Sequence, residues 1–412
     1  MDRLVGDGRS VEDIYPLTPT QAGMVFHGLV DATSGTYLNQ LQLRLSGVSD
    51  PEALGTAWQH MVDRTPVLRS GVVWEGLDEP LQVVQRNVTV PISYHDWTGL
   101  SDSRWRETLQ PLLARDRAEG FDLAEPPLLR LTIAALPGDE VLLVWTFHHV
   151  LIDGWSSAQV FGEVCERYAA LVGGHEPTLV ARRPFRDHLQ WLGERDQGEA
   201  ELYWRGVLDG FESSTPLPFD RQPVETHRAE SCDTVRVALS AERSRRMREF
   251  AQRNGLTVST VVQGAWGLLL SRYSGERDVV FGTTVSGRPA DLSGVESMVG
   301  LFINTVPTRV RLPSGQGVAS WLRGLQAAQS ESRRFDFVSL AQVQNWSEVA
   351  GGVNLFNSIV VFENYPFDDD AIAGYGMGIR EIHDLEPTNY PLSVVVSPGD
   401  RLSITLDYDP RL

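Results

Sequence analysis

The segment VLLVWTFHHV, residues 141–150, is apolar at nearly every position, and this limits what the chain can fold into. A strand that is covered on one face alternates apolar and polar residues, whereas a continuously apolar strand is typical of one buried on both faces. The next segment, SSAQVFGEVCERYAALVGG at 156–174, has the apolar spacing of an amphipathic helix. Ser156 and Gln159 have capping-box spacing, and Gly173 is expected just beyond the helix end. A buried strand followed by such a helix favours an α/β fold.

The same succession of strands and helices recurs in the second half of the chain. DTVRVALS (233–240) alternates as a strand, and AERSRRMREFAQRNG (241–255) is typical of a helix with Ser240 as N-cap and Gly255 after its end. The intervening residues 173–233 are richer in Pro, Gly and charge. We therefore predict two related α/β domains, which comprise residues 1–178 and 179–412. A chain of 412 residues fits this division, since single cores stop growing near about 250–300 residues.

The composition excludes several classes of partner. The chain has 36 Lys and Arg residues against 54 Asp and Glu, a net charge of −18, and its basic residues form no patch flanked by aromatics. Nucleic acids and anionic membrane surfaces are therefore not expected partners. The N-terminus MDRLVGDGRSVEDIYP is too polar for a signal peptide, and no apolar run reaches the roughly 18 residues of a membrane span. Cys165 and Cys232 form neither a disulfide framework nor a zinc motif, so a cytoplasmic location is expected.

Two adjacent histidines at the end of the buried strand are the main candidates for chemistry. His148 and His149 are followed by Asp153 and Gly154. Successive strand side chains point to opposite faces, so one histidine is expected to be reactive and the other structural. Asp153 could cap the next helix or bind an arginine, and Gly154 would let a substrate approach backbone N–H groups that can stabilise an oxyanion. A lone buried histidine is more often a core residue, but the four residues at this spacing favour catalysis.

These residues form the pattern His-His-x-x-x-Asp-Gly, which resembles the signature of the chloramphenicol acetyltransferase-like superfamily. Six more segments, in family order, make the whole chain resemble a condensation domain of a nonribosomal peptide synthetase. They are YPLTPTQAGMVFH (15–27), RTPVLRSGV (64–72), YWRGVL (203–208), GTTVSGRPADLSGVESMVGLFINTVPTRV (282–310), LFNSIVVFENYP (355–366) and NYPLSVVV (389–396).

The resemblance implies a particular architecture. Two acetyltransferase-like halves would form a V-shaped pseudo-dimer with a central tunnel that reaches His149. The second half would contribute a floor loop at about 282–305 and a latch at about 365–390. The floor loop would include Ser286, Gly287 and Asn304. Family members usually continue through one more helix after a segment like the final LDYDPRL, so a truncated C-terminus is expected.

The resemblance also implies the reaction and its partners. A donor peptidyl or aminoacyl thioester and an acceptor aminoacyl thioester, both on phosphopantetheine arms, would be joined by a peptide bond. The partners would be an upstream donor and a downstream acceptor peptidyl carrier protein and an adjacent adenylation domain. No tightly bound cofactor and no metal are implied, and the excised domain would be monomeric. The opening motif and SIVVFENYP resemble the subtype that joins two L-residues.

The family pattern assigns roles to individual residues. The second histidine faces the tunnel, so His149 would act as a general base or would position the amine, and both roles stay open. Gly154 is grouped with it as a catalytic residue. Asp153 would pair with Arg288 or, as a second possibility, with Arg69, because a buried carboxylate needs a partner. The residues expected to order the site are His148, Asp153, Arg288 and Arg69.

Two functions of other classes remain as alternatives. A free-standing acyltransferase that uses coenzyme A thioesters would share the histidine motif but not YPLTPTQAGMVFH or LFNSIVVFENYP. A non-catalytic docking module would bind carrier proteins without using the histidines.

Overall fold

The structure is a computed structural model that describes residues 8–30, 37–178, 181–219, 233–363, 369–384 and 388–412. Its strands are β1 Val11–Pro16, β2 Leu38–Ser46, β3 Ser70–Val73, β4 Leu81–Gln85, β5 Ile92–Asp96, β6 Leu129–Leu136, β7 Glu140–His148, β8 Asp233–Ala238, β9 Asp278–Val285, β10 Asn304–Arg311, β11 Ser358–Phe362, β12 Gly378–His383, β13 Leu392–Ser397 and β14 Ser403–Tyr408. Its helices are α1 Pro19–Val30, α2 Pro51–Arg64, α3 Asp102–Glu119, α4 Gly154–Gly173, α5 Arg186–Gly193, α6 Gln197–Leu208, α7 Ala241–Arg253, α8 Val258–Ser274, α9 Val318–Ser332, α10 Leu340–Trp346 and α11 Asp369–Gly374. The predicted α/β class is confirmed.

The chain divides into two compact units, and the histidine motif lies in the first. This unit comprises Met1–Gly193, Arg288–Phe302 and Tyr365–Glu386. Its main sheet has the strand order β12-β2-β7-β6-β5, in which only β5 and β6 are parallel. The strand predicted from VLLVWTFHHV is β7, at the centre of this sheet.

Both faces of β7 are covered, which explains its continuous apolar sequence. Leu143 and Trp145 belong to the large core formed with α2 and α4, and the Trp145 ring meets the Trp58 ring at 4.5 Å. Leu142 and Val144 point to the opposite face and pack with the apolar side of α3. Alternate side chains of one strand therefore enter two separate cores.

The second unit is also an α/β unit. It comprises Glu194–Gly287, Ile303–Asn364 and Pro387–Leu412. Its sheet has the order β10-β9-β11-β13-β14-β8, with β9, β11 and β13 parallel and the other pairs antiparallel. Helices α7, α8 and α9 contribute to its core with side chains from the sheet. Across the described ranges, no helix is long and apolar enough to cross a membrane.

The division of the chain differs from the predicted boundary after residue 178. The first unit continues to Gly193, because Phe185 and Leu189 around α5 pack into its core. It also takes in 288–302, whose apolar side chains join the same core, and β12, which pairs with β2. β12 lies within the segment expected to form a latch, about 365–390. Such returns of the chain depend on long-range packing that the local sequence pattern does not show.

The helix ends explain two further differences. Asp153 is the N-cap of α4, since its carboxylate accepts the N–H of Ser156 at 2.8 Å, so the capping-box assignment of Ser156 is wrong. Gly173 is the last helical residue, and the left-handed position belongs to Gly174 at φ 67°. The predicted N-cap of α7 is confirmed: Ser240 accepts the N–H of Arg243.

Candidate active site

His148 is the last residue of β7, and its ring is buried. Only 8% of the residue is exposed, and its Nδ1 accepts the N–H of Val150 at 3.1 Å. Burial lowers the pKa of His148 to about 3, and the neighbouring His149 contributes to the same shift. A ring that accepts at Nδ1 and cannot charge is held neutral at physiological pH.

His149 comes after the last residue of β7, so the alternating side-chain directions of the strand do not fix the direction of its ring. Its backbone N–H donates to the carbonyl of Tyr37 at 2.8 Å, and its Nδ1 lies 2.8 Å from the carbonyl of Ile152. A carbonyl only accepts, so Nδ1 carries the proton and Nε2 presents a lone pair. Burial lowers the pKa of His149, although the Ile152 contact and Asp153 oppose the shift. This half-buried ring is therefore a neutral, oriented proton acceptor.

The turn after His149 is fixed by hydrogen bonds from several elements. Gln21 on α1, fully buried, donates from Nε2 to the carbonyl of Val150 at 2.8 Å. The N–H of Asp153 donates to the carbonyl of Gly300 at 3.2 Å. The orientation of His149 therefore depends on the opening motif and on the segment 288–302 as well as on β7.

The Asp153 carboxylate is the centre of these contacts and is 1% exposed. Its Oδ1 accepts the N–H of Ser156 at 2.8 Å and Nη2 of Arg288 at 3.4 Å, and its Oδ2 accepts the N–H of Phe302 at 3.0 Å. The structure thus brings Asp153 and Arg288 together, with both side chains buried.

The alternative pairing of Asp153 with Arg69 is wrong. Arg69 is 3% exposed, and its guanidinium binds the carboxylate of Glu12 at 2.8 and 3.3 Å and the carbonyl of Val62 at 3.2 Å. Arg69 therefore ties β1 to the end of α2, and Glu12 balances its charge.

Arg288 holds the segment 288–302 against the start of α4. Its Nη1 donates to the carbonyls of Val295 and Met298, and its Nη2 donates to Oγ of Ser156 at 2.9 Å. The guanidinium carbon lies 3.9 Å from the centre of the Phe302 ring. Burial lowers the pKa of Arg288, and the Asp153 carboxylate opposes that shift. These polar contacts of the Asp153–Arg288 pair are all to protein groups, so the pair acts as a support for the site.

Two residues of this support were missed in the sequence. Ser156 Oγ donates to the carbonyl of Gly300 at 2.8 Å and accepts its N–H at 3.1 Å. A Cβ on Gly300 would lie 2.3 Å from the ring of Phe185, so only glycine fits there. The one available signal was the glycine within VESMVGLF, since a glycine between apolar residues often marks a close approach. Nothing local marked Ser156 as a partner of a segment more than a hundred residues away.

The remaining predicted residues occupy different environments. Gly154 is the first residue of α4, where N–H groups of the first turn lack helical partners. Gly287 has φ +60°, which favours glycine, and Ser286 is exposed. Asn304 is buried and donates from Nδ2 to the carbonyls of Asp336 and Val338 at 2.7 and 2.6 Å. The second unit contains all three floor-loop residues, Ser286, Gly287 and Asn304. There the Asn304 side chain fixes the backbone at residues 336 and 338.

The described residues contain no group of three or more His, Cys, Asp or Glu side chains that could hold a metal ion. The chemistry that the site itself offers is that of a neutral imidazole with a free Nε2 lone pair. Such a group can accept a hydrogen bond or a proton from a nucleophile.

Sequence comparison identifies relatives of known family. The model of the condensation domain family matches residues 11–412. The chain is 43% identical over 409 residues to a linear gramicidin synthase of Brevibacillus parabrevis, covering 99% of this chain and 8% of that protein. It is 35% identical over 410 residues to bacitracin synthase 3 of Bacillus licheniformis, covering 98% of this chain and 6% of that protein. The chain therefore spans less than a tenth of the length of these two relatives.

Solved structures share the fold at lower identity. The first condensation domain of the calcium-dependent antibiotic synthetase, in complex with substrate analogue 2a, superposes with a TM-score of 0.79 at 21% identity, covering 97% of this chain and 92% of that chain. The starter condensation domain of rhizomide synthetase, a double mutant in complex with C8-CoA and Leu-SNAC, gives 0.81 at 20% identity, covering 100% and 92%.

We predict that Asp153 and Arg288 are strongly coupled. Asp153→Ala leaves the Arg288 charge buried and uncompensated, so the free energy of unfolding should fall by about 3–5 kcal/mol. The double variant with Arg288→Met should lose clearly less than the sum of the two single losses. Urea unfolding of the four proteins measures this cycle. The exposed pair Glu242–Arg245 is the control, for which coupling below about 1 kcal/mol is expected. Additive losses at Asp153 and Arg288 would contradict the coupling.

We also predict that His148 makes the domain sensitive to acid. Its folded pKa of about 3 lies below the ordinary value of 6.5, so between these values the unfolded state binds more protons than the folded state. The free energy of unfolding should therefore fall as the pH drops from 6.5 towards 3.

His148→Gln isolates this effect, because glutamine can accept the N–H of Val150 but does not titrate. Urea unfolding of both proteins at several pH values between neutral and acidic measures the slopes. The variant should lose less stability on acidification than the wild type, and equal slopes would contradict the assignment.

Proposed function

The chain belongs to the condensation domain family of the nonribosomal peptide synthetases, and on this premise we propose that it forms a peptide bond between two carrier-bound substrates. The donor is a peptidyl or aminoacyl thioester and the acceptor is an aminoacyl thioester, each on the phosphopantetheine arm of a carrier protein. The reaction is an acyl transfer from sulfur to nitrogen. The domain holds no tightly bound cofactor in this proposal, since the arms enter as substrates.

The observation that carries the proposal is the state of His149. Its Nδ1–H is bound to the carbonyl of Ile152, which leaves Nε2 as a lone pair. The acceptor amine attacks the donor carbonyl carbon and forms a C–N bond. Nε2 accepts one proton from the nitrogen as it becomes positive. The C–S bond then breaks, and the proton passes to the leaving thiolate of the donor arm.

The neutrality of the ring matters in this mechanism. Burial lowers the pKa of His149 from its ordinary value of 6.5, which favours the unprotonated imidazole that can accept a proton. A thioester is already reactive, so the base need not be strong. Holding the amine beside the carbonyl supplies much of the acceleration, because a well-oriented pair avoids the entropy of a bimolecular encounter. His149 thus orients the amine through a hydrogen bond and takes its proton.

The other predicted residues receive supporting roles in the proposal. Gly154, as the first residue of α4, leaves room for the thioester near backbone N–H groups that can stabilise the oxyanion. Asp153 and Arg288 keep the turn in place without touching substrate, because their polar contacts are to the protein itself. Carrier proteins upstream and downstream and an adjacent adenylation domain are the proposed partners.

We predict that His149→Ala strongly slows peptide-bond formation while the domain remains folded. The variant removes the proton acceptor from a half-buried position and leaves the Asp153 support intact. General acid–base groups contribute about 10²–10⁴-fold, and a loss in this range is expected. Both carriers are loaded and dipeptidyl transfer is followed by mass spectrometry under single-turnover conditions.

His60→Ala is the matched control, because His60 is exposed on α2, and its rate should equal that of the wild type. A wild-type rate in the His149 variant would contradict the role of His149, whereas a wild-type domain that binds both carriers without forming a peptide bond would favour the docking alternative. Offering the donor acyl group as its free coenzyme A thioester tests the remaining alternative, since transfer from it at the carrier-bound rate would favour a free-standing acyltransferase.

We further propose that the donor residue has the L configuration, on the basis of the resemblance of YPLTPTQAGMVFH and SIVVFENYP to that subtype. Inverting the donor α-carbon exchanges side chain and hydrogen beside His149, so one enantiomer clashes with a wall shaped for the other. An apolar pocket discriminates by about 1–3 kcal/mol per methylene-sized misfit, which predicts a clear but incomplete preference. Donor carriers loaded with matched L- and D-terminated peptides measure it. A preference for the D-terminated donor would overturn the subtype and leave the reaction unaffected.

A further inference from the structure

A third histidine lies near the active site, in a segment outside the His-His-x-x-x-Asp-Gly motif. His188 is on the short helix α5, in the first unit, and is 3% exposed. Within the part of the chain that the structure describes, its Nδ1 is buried without a hydrogen-bond partner. A buried imidazole nitrogen without a partner is uncommon and needs an explanation.

The His188 ring is packed among aromatic side chains. Its centre lies 4.6 Å from the Phe302 ring, 5.8 Å from the Phe185 ring and 6.0 Å from the Trp191 ring, to which it is nearly parallel. Phe185 also meets Phe302 edge-on at 5.1 Å. The position of Phe302 is therefore set by two aromatic rings of the 185–188 segment.

Phe302 is in turn the residue that links the ion pair to the rest of the site. Its backbone N–H donates to Oδ2 of Asp153 at 3.0 Å, and its ring lies 3.9 Å from the guanidinium carbon of Arg288. A change in the position of Phe302 must move either the Asp153 contact or the Arg288 contact. Since Asp153 caps α4 and directly follows Ile152, whose carbonyl binds the His149 ring, such a movement reaches His149.

We propose that His188 is a positioning residue for His149, acting through Phe302 on the Asp153–Arg288 pair. The inference rests on the proposed reaction for its kinetic test, although its structural test does not.

The charges around the ring explain why a neutral aromatic group suits this position. Arg288 and Asp153 are the charged groups whose fields reach His188 most strongly, and Arg288 has the larger influence. Burial, followed by the Arg288 cation, lowers the pKa of His188 to about 4. Because the His188 ring is neutral, it does not compete with Arg288 as a cation for the Asp153 carboxylate. Among the described residues, the Arg288 Nε is also a buried donor without a partner, and a neutral His188 adds no second positive charge to its surroundings.

Two substitutions separate packing from chemistry. His188→Ala removes the ring that fixes Phe302, whereas His188→Phe keeps a neutral aromatic ring. Misplacing a catalytic group by a fraction of an ångström to an ångström can cost on the order of 10- to 100-fold. We therefore expect His188→Ala to lower kcat by about tenfold or more with KM for the acceptor carrier unchanged, and His188→Phe to restore most of the rate.

The control is His95→Ala. The centre of the His95 ring also lies near a tryptophan ring, 5.5 Å from that of Trp97, but the two rings are tilted and His95 lies on the edge strand β5. Its removal should leave both kcat and KM unchanged. If His188→Ala lowers only the melting temperature and folded variant turns over at the wild-type rate, the proposal is overturned.

The structural test uses histidine ring signals in NMR spectra of the ¹⁵N-labelled domain without substrates. In the wild type, His149 should show the Nδ1–H form. In His188→Ala the His149 ring signals should shift, and the two His149 tautomers should mix. In His188→Phe the His149 signals should return towards the wild-type positions. In His95→Ala they should not change. Unchanged His149 signals in His188→Ala would overturn the inference. A wild-type domain that forms no peptide bond would instead contradict the proposed function and leave this test intact.

Discussion

The buried carboxylate of Asp153 is the interaction on which the candidate site depends. It caps α4, binds the guanidinium of Arg288 and accepts the N–H of Phe302. A helix start, a turn after a strand and a segment from much later in the chain are therefore held by one group. Removing a charge from water is costly, and the cost is offset here because every contact to the carboxylate is a hydrogen bond to a cation or to a backbone N–H.

This arrangement separates the charged groups from the reactive one. Asp153 and Arg288 neutralise one another, whereas His149 remains an uncharged acceptor with one nitrogen fixed by a carbonyl. A reaction between an amine and a thioester needs a proton acceptor that is neither protonated beforehand nor paired with a carboxylate that competes for the amine. Burial of His148 and His149 lowers the pKa of both rings and keeps this part of the unit free of imidazolium charge. In the proposed mechanism, the charged pair thus supports orientation and the histidine supplies the chemistry.

Solved structures show that this fold tolerates large differences in sequence. Condensation domains about 20% identical to this chain superpose with TM-scores near 0.8. Layered packing of strands such as β7 tolerates extensive substitution as long as apolar side chains fill both faces. By contrast, Gly300 lies against the Phe185 ring with no room for a Cβ, so packing around 288–302 allows little variation.

The sequence by itself determined the local elements and the candidate chemistry. The apolar run of β7, the N-cap of α7 and the spacing of His148, His149, Asp153 and Gly154 all follow from local patterns, because strand and helix periodicity depends on neighbouring residues. The partner of Asp153 was narrowed to two arginines, but only tertiary packing chose Arg288 and assigned Arg69 to Glu12. The local sequence did not indicate the contact partners of four residues, which are Ser156, Gly300, Phe302 and His188. Their roles arise where segments distant in the chain meet. The division of the chain into units depended on packing for the same reason, as 288–302 and β12 return to the first core through contacts that no local pattern contains.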